Sequence, residues 1–368
     1  WLDDVEEYGF EEFLSTVYMC VTFAALINVV DYSEPEISKR AAAVTDKMLS
    51  MLALHTYKTG IVAPMGRVYR SVLYPFDQGA MALMNLINPK LPYTFGEGWL
   101  GFYASSHYPI PEGLVKLMED DVETNYTTGN ARVYLEKNDD YCLTSVASPR
   151  EPFTRWENET LKEDVDITTH NFTKSFNERF HGTTYFRPGT YGYQQHMWYA
   201  ALDGEASIFV THPGSTSEEG DMRPGYWHGN GVMPALKQQH GILGGIYVIP
   251  DEHPIGYTHL YCPECRFDEV IHEENWIFLR KETGYLALWC SEKLEAHNGM
   301  NFNCEQRAYS KNAAYLCVCG GKKSDVSFAT FKKRAKETSP SYDKESKTLT
   351  AQEFELSYAA CKDVTQFL

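Results

Sequence analysis

The run Met65-Gly66-Arg67-Val68-Tyr69-Arg70, with His55 upstream and Tyr74 downstream, is the densest grouping of reactive side chains in the early part of the chain. Two arginines beside a tyrosine bind a carboxylate through forked hydrogen bonds. Their positive charge also lowers the phenol pKa and makes the phenolate a plausible base. The structural alternative is an arginine pair bridging helix-end carbonyls or surface acids.

Three later runs are rich in polar and aromatic side chains: His181-Gly182-Thr183-Thr184-Tyr185, Gly192-Tyr193-Gln194-Gln195-His196-Met197-Trp198, and Pro224-Gly225-Tyr226-Trp227-His228-Gly229-Asn230-Gly231. Amides and imidazoles read sugar hydroxyls, and aromatic faces stack on the apolar side of a pyranose ring. His55, Gln195, Trp198, Trp227, His228 and Asn230 are therefore candidate substrate contacts. Each histidine taken singly also fits a satisfied structural role.

Familiar machineries are missing, with no Gly-x-Ser-x-Gly elbow, phosphate loop or His-Glu-x-x-His pair in the sequence. Glycoside hydrolysis needs two carboxylates at a set separation, for which Glu11, Glu12, Asp77, Glu178 and Asp203 are candidates. Of the nine cysteines, an odd number, at least one is free or intermolecular. Cys262-Pro-Glu-Cys265 and Cys317-Val-Cys319 could cap a structural zinc, although the second pair has one intervening residue rather than two. No cofactor follows with certainty from these residues, and a structural zinc or calcium is the one they allow.

The formal net charge of −17 argues against a nucleic-acid binder, because tracking a phosphate backbone requires a concentrated basic face. An acidic polysaccharide or oligosaccharide partner requires a local arginine pocket. The most apolar stretch, Val17 to Val30, is too short and too interrupted by Thr22 and Asn28 to span a bilayer. Sequons at Asn125, Asn158 and Asn171 favour secretion. The chain opens on Trp1, with the expectation that a leader was removed or that the chain begins inside a larger protein.

Apolar spacing predicts a helix over Phe13 to Val30 and a second from Pro35, joined as an antiparallel hairpin. Asp77 to Leu86 and Glu112 to Asp120 read as further helices. Past Asn125 the pattern changes to short strands, including 131–135, 141–145, 206–211, 244–249, 276–279 and 285–289, separated by turn residues. The reading is an α+β chain with a helical domain over 1–122, an antiparallel β-sandwich domain over 123–322 and a C-terminal extension over 323–368, the extension forming a small helix and strand or a mobile terminus.

A helical region ending in Gly66-Arg67-Val68-Tyr69-Arg70, followed by a long antiparallel β region with the Gly192 to Trp198 strand, resembles the C-terminal part of heparinase II/III-like polysaccharide lyases. The resemblance covers most of residues 1 to 320. It implies a partial (α/α) toroid joined to a large antiparallel β-supersandwich, and β-elimination at a uronic acid. Under it, Arg67 and Arg70 hold the carboxylate or neighbouring sugar, Tyr69 or Tyr74 acts as base and acid, and His196 reaches in from the sandwich. Four predicted helices are fewer than a full toroid takes, the usual Asn-His pair is not apparent, and His196 lies in Tyr-Gln-Gln-His. The expected protein is a secreted, cell-surface or periplasmic polysaccharide lyase. The alternatives are a glycoside hydrolase on the same scaffold and a non-catalytic glycan-binding or structural glycoprotein.

Overall fold

The computed structural model describes residues 1–73, 79–92, 94, 99–129, 131–147, 191–218, 222–251, 253–299 and 304–359. Within them the chain is a mixture of helices and large antiparallel sheets. The helices Tyr18–Tyr32 and Pro35–His55 pack on each other. Pro35 occupies the first turn of the second helix, where its missing N–H leaves no bond unmade. Phe23, Leu26 and Ile27 on the first helix and Val44, Met48 and Leu52 on the second are buried at three- and four-residue spacings.

The first of these helices begins at Tyr18, not Phe13. The carbonyl of Phe13 accepts from Gly66 N at 2.9 Å, and that of Thr16 accepts from Ala80 N at 2.8 Å. These backbone groups serve neighbouring segments, so the preceding turn stays irregular. Helices Gly79–Ile87 and Leu114–Glu119 lie where periodicity places them, and two short helices, Leu2–Tyr8 and Leu100–Ala104, are additional. Among the described residues no helix is long and apolar enough to cross a membrane.

An eight-stranded sheet runs in the spatial order 295–297, 305–308, 258–261, 207–211, 198–201, 142–147, 131–137 and 122–128. A six-stranded sheet runs 269–273, 276–281, 284–290, 312–321, 242–248 and 235–239. Every pairing in both is antiparallel. Side-chain alternation sorts the larger sheet into two faces. Leu143, Ala200, Ile208, Val210 and Leu260 belong to one core with Leu286 and Leu288 of the smaller sheet. Tyr199, Phe209 and Tyr261 turn the other way, into a cluster with Val62, Met65 and Val68 from the loop after the long helix.

The strand Gly284–Cys290 is buried throughout because both faces are covered. Leu286 and Leu288 face the main core, whereas Tyr285, Ala287 and Trp289 join a second core with Phe331, Leu349 and Phe354. That cover comes from the helix Phe328–Glu337 and the three-stranded sheet 341–343, 348–351 and 354–357. The lysine-rich extension thus folds back on the outer sheet face as far as it is described.

Candidate functional site

The loop Met65–Tyr69 is fixed between the helical layer and the larger sheet. Met65 and His196 exchange backbone hydrogen bonds of 2.9 and 3.2 Å, and Val68 N donates to Gln194 O at 3.0 Å. The Gln194 side chain returns a bond to Val68 O at 2.7 Å. Gly66 lies so close to the turn before Tyr18 that an added Cβ would stand 2.7 Å from the Glu11 carbonyl oxygen. Only glycine fits there.

This placement directs Arg67 and Tyr69 toward the first long helix. Arg67 Nε and Nη2 donate to the Tyr69 hydroxyl at 3.3 and 3.2 Å, and Arg67 Nη1 pairs with Glu12 Oε1 at 3.2 Å. Tyr69 in turn donates to the Tyr18 hydroxyl at 3.0 Å. The guanidinium of Arg223, carried by the connection between strands 207–211 and 235–239, sits 5.3 Å from the Tyr69 ring centroid. A cleft of about 410 Å³, lined by Trp1, Asp4, Phe10, Glu12 and Tyr18 among others, reaches this group through Glu12 and Tyr18.

The electrostatics differ from the simple expectation. Burial and the bond to Tyr18 raise the Tyr69 pKa, outweighing the opposing pull of Arg67. Tyr69 therefore rests as a neutral phenol, a proton donor whose anion, once formed, would be paired with Arg67. Glu12 is also raised, chiefly by burial and further by Glu11, against the lowering effect of Arg67. A phenol and a carboxyl whose pKa values are both raised suit general acid chemistry.

His196 lies on the other side of the same backbone bridge. Its ring is fully buried against Phe209, at 4.5 Å between centroids, with Nε2 2.7 Å from the Trp227 carbonyl and Nδ1 bonded to the Tyr199 hydroxyl. Burial pushes its pKa down to about 3. Arg67 and Tyr69 meet one another, and His196 reaches into the sheet rather than toward them. The segment around it is also not a regular strand. Tyr193 pairs with Asn230 and His196 with Met65 through isolated bridges, and the strand proper starts at Trp198.

The remaining candidates brace the interior. His55 is pinned between Val62 O at 3.0 Å and the Tyr126 hydroxyl at 2.9 Å, and burial lowers its pKa to about 4. Asn230 Nδ2 donates to Gln195 O at 2.8 Å, and His228 Nε2 lies 2.8 Å from Met222 O. Trp198 is core, and Trp227 stacks on His259 at 4.2 Å. Asn125 is exposed on its strand, where its Oδ1 accepts from Arg132. The Arg70 backbone begins a single-turn 3-10 helix, Arg70–Leu73. The Arg70 side chain and Tyr74, the run 181–185, Asp77, Glu178, Asn158 and Asn171 lie outside the described residues. Asp203 caps a turn through the backbone N–H groups of Glu205 and Ala206 and pairs with Lys281.

A polar network continues on the sheet face that carries Tyr199 and Phe209. Glu305 accepts from Arg307 Nε at 2.7 Å and from the Tyr226 hydroxyl, with His259 Nδ1 at 3.3 Å. Burial alone would raise Glu305, but His259, Arg307 and Tyr226 outweigh it and bring its pKa down to about 2. Arg307 stacks over Tyr257 at 4.5 Å and also reaches Glu218 at 3.2 Å. Glu305 and Arg307 stand two apart on one strand and so share a face, a signal present in the sequence. Arg223 and Tyr18 carried no such local signal.

For metals, Glu218, His297 and Glu305 bring one ligand atom each within 4.8 Å. Arg307 already pairs with both carboxylates, so a guanidinium holds the position that a cation would need. The two cysteine pairs of the zinc expectation do not meet in such a group among the described residues. Cys262 and Cys265 follow a strand of the larger sheet, and Cys317 and Cys319 lie in the smaller one. No protein-family model matches the chain, and no curated protein matches it in sequence.

Proposed function

We propose that the protein is a polysaccharide lyase that cleaves a uronic-acid-containing glycan by β-elimination, on a partial toroid and β-supersandwich of the heparinase II/III-like kind. One observation carries this reading: the Tyr69 hydroxyl lies between the Arg67 guanidinium and the Tyr18 hydroxyl, with Arg223 over its ring. The two arginines take the uronate carboxylate, which acidifies the C5 proton by stabilising the enolate-like intermediate. Of the tyrosine pair, the Tyr69 hydroxyl, neutral at rest, gives its proton to solvent and, as the phenolate held by Arg67, removes the C5 proton. The other returns a proton to the glycosidic oxygen as the C4–O bond breaks and the C4–C5 double bond forms. The exposed sequon at Asn125 supports a secreted or cell-surface setting.

The test is incubation with a panel of acidic glycans while following ultraviolet absorbance. An unsaturated uronide product that disappears in Tyr69→Phe is expected, and a folded protein giving no such product on any acidic glycan overturns the reading. The half-buried Glu12, its pKa raised chiefly by burial, favours a second reading, a glycoside hydrolase with Glu12 as its acid. Its mark is the appearance of reducing ends without ultraviolet absorbance, abolished in Glu12→Gln.

A further inference from the structure

Three cysteines, Cys262, Cys265 and Cys304, lie where the strand Thr258–Tyr261 leaves the larger sheet. Tyr261 pairs with Glu305, and the ladder continues one step further, with Cys262 N donating to Cys304 O at 2.8 Å. The chain then turns through the single-turn helix Glu264–Arg266, which carries Cys265. That turn is tied back to the strand of Glu305, because Gln306 Nε2 donates to Glu264 Oε1 at 3.0 Å. The exposures are graded: Cys265 is exposed, Cys304 half-buried and Cys262 buried.

We propose that Cys265 and Cys304 form an intramolecular disulfide when the protein meets a small-molecule disulfide. The exposed Cys265 thiolate attacks the reagent, making a mixed disulfide and releasing one small thiolate. Cys304 then gives its proton to solvent and attacks Cys265 Sγ, expelling the second small thiolate. The two protein thiols are oxidised and one reagent disulfide is reduced to two thiols.

The chemistry of each thiol fits its part. Cys265 is accessible, as the entering nucleophile must be. Burial, with smaller contributions from Glu305 and from nearby Cys265, raises the Cys304 thiol to about 12. Closure is therefore the slow step, and it speeds up with pH because only the thiolate attacks. Cys262 is likewise held well above the usual thiol range by burial and takes no part. The crosslink fastens the turn at Cys265 to the residue just before Glu305, and so clamps the strand that carries the Glu305–Arg307 pair. This holds whatever reaction the protein catalyses.

The experiment treats the whole chain with glutathione disulfide at several pH values, quenches with an alkylating agent, and maps peptides without reduction. Wild type is expected to pass through a glutathione adduct on Cys265 to a Cys265–Cys304 crosslink, with closure about tenfold faster per pH unit below the Cys304 pKa. Cys304→Ser should stop at the adduct, and Cys262→Ser should close normally. The oxidised wild type should melt at a higher temperature than the reduced one. Persistence of the Cys265 adduct in wild type, closure in Cys304→Ser, or protection of all three thiols by zinc(II) alone overturns the proposal.

Discussion

The hydroxyls of Tyr69 and Tyr18 are hydrogen-bonded at 3.0 Å, which joins the loop after the second long helix to the start of the first. Tyr69→Phe removes that bond and the contact with Arg67 but leaves the ring in place. A neutral hydrogen bond is worth about 1 kcal/mol net and one to a charged group about 1.5–3 kcal/mol, so unfolding by denaturant should change by about 4 kcal/mol at most. A positioned acid or base contributes about 10²–10⁴ in rate, so kcat should fall on that scale. Equal turnover in Tyr69→Phe and wild type rules Tyr69 out of the chemistry.

Arg223 approaches the Tyr69 ring at 5.3 Å from a loop between sheet strands, while Arg67 approaches its hydroxyl at 3.2 Å. A charged hydrogen bond to a substrate carboxylate is worth about 1.5–3 kcal/mol, or roughly tenfold to hundredfold in kcat/KM. Arg223→Met should lose that much on an acidic glycan and little on a reduced, uncharged analogue. Arg223→Lys should recover only part, because the fork geometry is lost. Identical kcat/KM for Arg223→Met and wild type removes Arg223 from the site.

These two residues mark the border of what the sequence discloses. Local periodicity announces the helix from Pro35, whose burial repeats at the helical period, whereas the strand 284–290, covered on both faces, shows as a short continuous apolar run. The Gly192 to Trp198 run alternates like a strand, yet its backbone groups are divided among Asn230, Val68 and Met65. Gly192 has φ +74°, and an added Cβ would lie 1.9 Å from the Asn230 carbonyl oxygen, which is a turn's requirement rather than a strand's. Arg67 and Tyr69 are neighbours in sequence and were visible together. Tyr18 and Arg223 reach them only through tertiary packing, and His196 turns inward, where its Nε2 meets the Trp227 carbonyl and its ring packs on Phe209.

Buried histidines set the acid limit of the fold. His55 and His253 are lowered to about 4 and His196 to about 3, in each case mainly by burial. Native rings stay neutral while unfolded ones titrate near 6.5, so their stabilisation is full above pH 6.5 and is lost as pH falls toward the native values. Each contributes a slope of up to about 1.4 kcal/mol per pH unit across that window. Urea midpoints should therefore drop steeply between pH 6.5 and 4. A flat profile there contradicts neutral burial of these rings.

Glu305 and Arg307 form a buried pair, with side chains only 2% and 11% exposed. Removing Arg307 leaves the buried Glu305 carboxylate without its guanidinium, which typically costs about 3–5 kcal/mol. Arg307→Met should lose that at pH 7. Because the Glu305 pKa is depressed to about 2 from 4.5, its own contribution is present above pH 4.5 and fades as pH falls toward 2. Glu305→Gln should accordingly be destabilised at pH 7 and approach wild type at the acid end, as read by denaturant midpoints at both pH values.

Gly66 is the narrowest joint between the site and the fold. A methyl group there would meet Glu11 O at 2.7 Å, Phe13 Cδ1 at 2.8 Å and Phe13 N at 2.9 Å. Two of these are backbone atoms, and Phe13 is fully buried, so relief requires the loop itself to move. Overpacking of this kind costs about 1–3 kcal/mol. The same displacement carries Arg67 and Tyr69 away from Glu12 and Tyr18, so Gly66→Ala should lose activity at temperatures where it is still fully folded. Gly101→Ala is the matched control: nothing lies within 4 Å of its added Cβ, it sits in the short helix Leu100–Ala104, and it should leave activity unchanged. If Gly66→Ala keeps full activity while folded, the close approach at Glu11 and Phe13 does not set the position of the tyrosine.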